Sequence, residues 1–399
     1  MAFQQQCNQE RLGAAGTIEC LATILRVSWE SATHEELIDI IEAATCALTN
    51  LLSLHAPNSR KFVATGGVEL LLKFLNINSS NLLDADKATQ MQTNVINVLA
   101  NTLAAAGGKN LYLEDSFLHN TSSLFVSASR GMRSFAGTSV SDERSFAYSI
   151  VMLCTANNSP ARQAAALLLG NLACSSRLRI ELGRLGAVEA LWRITRERKS
   201  SADCATALWA LSNLVWSNRA NQSRCGPLFE EIFEMIANCC IELPFKYPHL
   251  EPSCVFQTRH KDAWNQSAPA SLECAYAMGL VANAIYFHDS NCNHMEVIPG
   301  GVEAIIRLSK ADQPLAIREP ALRCMACLTV SDRGAKRVAL AESRDDAFKV
   351  MVNAAGDANV GSEHASVRRL GAAALASMNS IASARRYLHA PVSVSYTHL

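Results

Sequence analysis

The sequence predicts an all-α solenoid of about seven helical units, and three observations carry that prediction. Stretches rich in Ala and Leu with helical periodicity recur along the 399 residues, as in PARQAAALLLGNLAC from Pro160 and DCATALWALSNLV from Asp203. Between two such stretches lie a short polar helical segment, a turn at Gly186 and an amphipathic segment carrying Val188, Leu191, Trp192 and Ile194. An asparagine recurs at one helical position: Asn50, Asn101, Asn171, Asn213, Asn283 and Asn379, with Cys327 in the remaining slot. The helix predicted over 162–174 has Ala and Leu all round, so it must be covered on more than one side.

A helix ending Asn-Leu-Ala, a short helix, Gly-Ala-Val and a second helix together resemble the armadillo repeat. In that family each unit has three helices, H1, H2 and H3, and the units stack into a right-handed solenoid whose H3 helices line a concave groove. Trp209-x-x-x-Asn213 resembles the motif on H3 of importin-α-type members. Taking the asparagine as reference, the spacings are 51, 70, 42, 70, 44 and 52 residues, against ~40 to 47 for such repeats. The two long spacings must hold insertions, at about 117–145 and 242–268, within a repeat domain over 1–382.

In chain order, unit one takes the N-terminus as H1, 16–27 as H2 and 35–54 as H3, where Leu37, Ile40, Ile41, Ala44 and Leu48 keep the period. No polar capping helix precedes it, so Ile18, Leu21 and Leu25 are exposed unless something covers them. Unit two has H1 at 58–65, the Gly66-Gly67 turn, H2 at 68–75 and a long H3 that Gly107 stops. Unit three carries the Ser-rich stretch 121–145 before its H2 at 146–155. That stretch is predicted to be mobile in its latter part, and Arg130, Arg133 and Ser134 within it would suit a basic-directed kinase, the alternative being a merely soluble loop.

Unit five has H2 at 227–241, then an insertion with four prolines between Pro244 and Pro269 that rule out continuous helix. Its H3 resumes near Ala270. Proteases are expected to cut first within 131–145 or 242–268. Unit six has the Pro299-Gly300-Gly301 turn before H2 and Pro314 near the start of H3. Unit seven has H2 at 346–355 and H3 over 360–382; residues 383–399 read as an unstructured tail, whose last residues, APVSVSYTHL, are a candidate non-native extension.

Composition bounds the function. The chain is 49% apolar and 6% aromatic, with 36 basic and 36 acidic residues, so no global field draws it to nucleic acid or an anionic membrane. Fourteen cysteines without a secretory signal read as reduced core thiols of a soluble protein in the cytosol or nucleus. No apolar run reaches the ~18 residues of a membrane span.

For the groove, the resemblance implies that Asn50, Asn101, Asn171, Asn213, Asn283 and Asn379 hydrogen-bond the backbone of an extended peptide, since an amide donates and accepts at once. Trp209 would pack the stem of a partner Lys or Arg. The alternative is internal: asparagines bonding a neighbouring helix, and Trp209 wedged between repeats. The other units place Cys46, Asn97, Leu167, Gly279, Arg323 and Leu375 at the Trp position. Import adaptors also carry a basic N-terminal arm and acidic groove walls, whereas this chain begins MAFQQQ and offers scattered acids such as Glu42 and Glu273. A catenin-like scaffold fits better than the alternative of an adaptor for basic import signals.

No catalytic set can be picked out from spacing, and no cofactor is expected. Cys324-x-x-Cys327 has redox or metal spacing but lies in a helix, where a packed thiol pair is the plainer reading. His249, Cys254 and His260, with Cys239 and Cys240 nearby in sequence, offer a rival zinc or enzymatic site on the central insertion. Gly107-Gly108-Lys109 reads as a helix stop. The expected partners are other proteins, held by extended segments in the groove, and the open end is expected to be met either by a longer array or by association through that end.

Overall fold

In the computed structural model the described residues are 2–31, 34–75, 85–106, 146–197, 200–241, 269–330, 334–335, 338, 344–357 and 362–380. Among them there is helix and turn and no strand. Both insertions and the tail, with the expectations that rest on them, lie outside the described residues. The chain divides into two compact units, one running to Leu214 and the other starting at Val215.

The first unit holds α1 (Ala2–Ala14), α2 (Thr17–Ser31), α3 (His34–Leu52), α4 (Ala56–Ala64), α5 (Gly67–Leu75), α6 (Ala85–Ala106), α7 (Phe146–Leu153), α8 (Ser159–Leu172), α9 (Ser176–Arg184), α10 (Ala187–Glu197) and most of α11 (Ser201–Val215). The second holds α12 (Arg219–Cys225), α13 (Phe229–Ile241), α14 (Pro269–Ile285), α15 (Asp289–Val297), α16 (Gly301–Leu308), α17 (Leu315–Leu328), α18 (Arg344–Ala355) and α19 (Ser362–Ser380). The H3 helices are α3, α6, α8 and α11 in the first unit, and α14, α17 and α19 in the second. Consecutive H3 helices pack on one another: α3 on α6 and α6 on α8, then α14 on α17 and α17 on α19. That stacking explains why α8 is buried nearly all round.

Two kinds of turn recur among the described repeats. From H1 to H2 the chain reverses at a glycine with positive φ, at Gly16, Gly66, Gly186 and Gly300, a conformation other residues adopt only under strain. From H3 to the next H1 a single residue takes the left-handed region (Leu54, Ser217, Phe287). The residue after it caps the new helix: His55 accepts from the Asn58 N–H, Asn218 from Asn221 and His288 from Asn291, at 3.1 to 3.2 Å.

An H1 amide pair then closes the end of H3. Asn58 Nδ2 donates to the Gln9 and Leu51 carbonyls, and Gln9 Nε2 to those of Asn50 and Ser53. In the second unit Asn291 donates to Gln222 and Ala284, and Gln222 to Asn283 and Tyr286. Apart from those of Gln9 and Gln222, which lie on the H1 helices themselves, the carbonyls served lie at H3 C-termini, where the helix itself provides no donor. Space for the pair comes from Gly13 and Gly226, where an added Cβ would strike the amides of Asn58 and Asn291.

The N-terminal end corrects one expectation. Ile18 and Leu25 are fully buried and Leu21 is half-buried, because α2 turns that face onto α1, α3, α4 and α5. The apolar residues left open on this repeat are others: Leu12, Ile24, Val27, Trp29 and Leu54.

Candidate functional site: the H3 asparagine face

On the H3 helices of the first unit the reference asparagines form a ladder. Asn101 Nδ2 donates to the carbonyl of Thr49 at 3.1 Å, Asn171 Nδ2 to that of Ala100 at 3.0 Å, and Asn213 Nδ2 to that of Gly170 at 3.2 Å. Each acceptor is the residue just before the asparagine of the preceding repeat, so one bond is made three times in register. Helical carbonyls have a second lone pair, which allows this. Each bond uses part of an amide that has two N–H groups and a carbonyl oxygen. Asn101 and Asn171 are buried, Asn213 is half-buried and Asn50 is exposed.

Trp209 is 7% exposed. Its benzo ring lies over Gly170 of α8, where an added Cβ would collide with it. The indole is therefore packed between consecutive H3 helices, and Gly170 is what lets it in. At the same position one repeat earlier Leu167 is half-buried, and before that stand half-buried Asn97 and exposed Cys46.

Spacing gave no sign of the ion pair beneath this face. Arg162, on the first turn of α8, places Nη2 2.9 Å from Asp203 Oδ2 on α11, with both side chains 3% exposed. Ser159 Oγ donates to the same oxygen at 2.7 Å, and Arg162 Nη1 donates to the carbonyls of Ala156 and Asn157. A buried charge pair holds only when its remaining hydrogen-bonding capacity is filled, as these contacts do.

In the second unit the corresponding face is wired differently. Arg323 stands at the Trp position and donates Nη1 to Asn283 Oδ1 at 3.1 Å and Nη2 to Glu319 Oε2 at 3.1 Å; Ser366 donates to Glu319 Oε1. Asn283 is buried beneath this network, and Asn379 is exposed on α19. Arg318, nine residues before Cys327 as Arg162 is nine before Asn171, pairs with Asp357 at 3.0 Å.

Two further features of this unit carry no motif in the sequence. Trp216 stacks on Tyr286, which meets Phe287 edge-on, and Phe287 is 76% exposed. A cleft of about 730 Å³ lies between α13 and α16, with Phe233, Ile298 and Pro299 beside Glu230, Glu234, Arg307 and Lys310.

Among the described thiols, Cys154, Cys204, Cys225, Cys274, Cys292 and Cys324 are buried, whereas Cys20 and Cys46 are exposed. Burial pushes Cys154 and Cys292 up to about 12 and Cys327 to about 11, and it raises Cys324 well above the usual thiol value, the neighbouring Cys327 adding to the effect. Redox dithiols work through lowered values, so Cys324 and Cys327 act here as small apolar groups. Among the described residues no three metal donors gather, and no helix is long and apolar enough to cross a membrane. His249, Cys254 and His260 lie outside the described residues.

No protein-family model and no curated protein matches the sequence. Among solved structures, a designed armadillo repeat protein in complex with the peptide (KR)4 is similar with a TM-score of 0.50 and 14% identity, over 77% of this chain and 98% of that one. An engineered protein is similar with a TM-score of 0.50 and 18% identity, over 78% of this chain and 97% of its own. Likeness at such identities is likeness of fold. The fold is an all-α armadillo-type helical repeat.

Proposed function

We propose that this protein is a non-enzymatic interaction scaffold that binds extended segments of partner proteins along its H3 helices. The observation that carries the reading is the ladder on α3, α6, α8 and α11: amides in register on consecutive helices, with Asn101, Asn171 and Asn213 keeping capacity after one internal bond each and Asn50 exposed. A strand-like peptide backbone, which alternates donors and acceptors, is a ligand such a row can follow. The designed repeat protein in complex with a peptide supports a peptide-binding use of the fold. The residues assigned to this use are Asn50, Asn101, Asn171, Trp209 and Asn213 in the first unit and, separately, Asn283 and Asn379 in the second.

The test uses the difference in burial along the ladder. Asn50 is exposed, so Asn50→Ala is expected to weaken binding of a captured partner by about 1 to 3 kcal/mol with melting unchanged. Asn213→Ala removes the bond to Gly170 as well, and is expected to lower both affinity and melting temperature. Normal affinity in Asn50→Ala, and in Asn213→Ala once the folded fraction is matched, would refute the groove.

A further inference from the structure

The H3 face of the first unit is uncharged over three consecutive helices. At the reference position and one and two turns before it, α6 presents Asn101, Asn97 and Thr93, α8 presents Asn171, Leu167 and Gln163, and α11 presents Asn213, Trp209 and Ala205. The nearest carboxylate on these helices is Asp203, and the buried Arg162 and Ser159 consume it. An open carboxylate, Glu42, stands on α3 two turns before Asn50, and Asp39 on the same helix faces Lys87 at 4.0 Å with both side chains largely exposed. Open charge is thus confined to the N-terminal ends of α3 and α6.

We propose that this face selects an uncharged extended segment, one whose side chains are amides, hydroxyls and aliphatics, over a basic or an acidic one. The proposal rests on the groove reading above and names its partner class. A lysine or arginine laid along α6, α8 and α11 would leave water without a counter-charge, and a charge desolvated without a partner is strongly disfavoured. Half-buried Asn97, Gln163 and Asn213 answer amide and hydroxyl groups, and half-buried Leu167 answers an aliphatic one. The second unit differs, since Arg323 and Glu319 there stand as an ion pair beside Asn283.

The experiment titrates the full chain with three end-blocked peptides, (QL)4, (KR)4 and (DE)4, at low and high salt. The expected result is that (QL)4 binds at least about tenfold more tightly than either charged peptide. Its affinity should change little with salt, because no exposed charge pair is there to be screened. In the double variant Asn97→Asp/Gln163→Glu, (KR)4 is expected to gain about tenfold or more, and that gain should shrink at high salt. Tighter binding of (KR)4 or (DE)4 by the unaltered chain overturns the selectivity and leaves the groove standing. Binding of (QL)4 with no gain of (KR)4 in the double variant overturns the placement on α6 and α8. Failure of all three peptides with both proteins overturns the groove reading and this inference together.

Discussion

Asp203 and the two histidine caps show how a single side chain is committed inside this array. Removing one member of a buried ion pair leaves the other charge unpaired, which costs about 3 to 5 kcal/mol. Asp203→Ala is therefore expected to destabilise the first unit by that order, measured by denaturant unfolding; a loss below about 1 kcal/mol would contradict the wiring. His288 Nδ1 accepts the Asn291 N–H, so the ring proton sits on Nε2, 2.9 Å from Ser223 Oγ. His55 accepts in the same way from Asn58.

Burial lowers the pKa of both imidazoles, helped at His288 by the Arg219 charge and opposed at His55 by Glu10. The folded state thus holds fewer protons than the unfolded one between its own pKa and the ordinary value near ~6.5. Stability from the neutral caps is complete above that ordinary value and is lost as pH falls through the folded values below it. Asn218 performs the same capping without titrating. The double variant His55→Asn/His288→Asn is accordingly expected to lose less melting temperature than the unaltered chain between neutral and mildly acidic pH, and equal losses would exclude the caps as the cause.

Among the elements, the close approach of α8 and α11 depends on Gly170. Alanine has the better helix propensity by about 1 kcal/mol, but its methyl would meet the Trp209 ring, and overpacking costs typically ~1 to 3 kcal/mol. Gly170→Ala is expected to be net destabilising in the natural background and neutral or stabilising where Trp209→Ala has removed the ring. A double-mutant cycle in denaturant checks this, and additive effects would mean that the two groups do not press on each other. The Gln9–Asn58 and Gln222–Asn291 amide pairs work at the same scale, tying each H1 to the C-terminus of an H3 helix.

At the scale of the whole molecule, the N-terminal repeat leaves Ile24 43% and Val27 54% exposed on one face of α2. A repeat face of this kind is normally covered by a neighbouring unit or a polar cap. Concentration-dependent self-association through this end is the expected outcome, with Val27→Glu shifting the chain toward monomer in sedimentation velocity. Monomer at every concentration in both proteins would refute it.

The sequence by itself determined the helical-repeat class, the repeat count, the glycine turns and the helix limits to within a few residues. Periodicity, caps and positive-φ glycines act within one or two turns of chain and leave their marks locally. The asparagine ladder was legible as a recurrence, but where its amides point was not. Only the stacking of repeats decided that Asn101, Asn171 and Asn213 each reach a carbonyl of the helix before, that Arg162 meets Asp203 41 residues away, and that Trp209 goes under cover. Those contacts join residues some forty to seventy positions apart. Their geometry is set by how neighbouring H3 helices pack, and no local spacing encodes that.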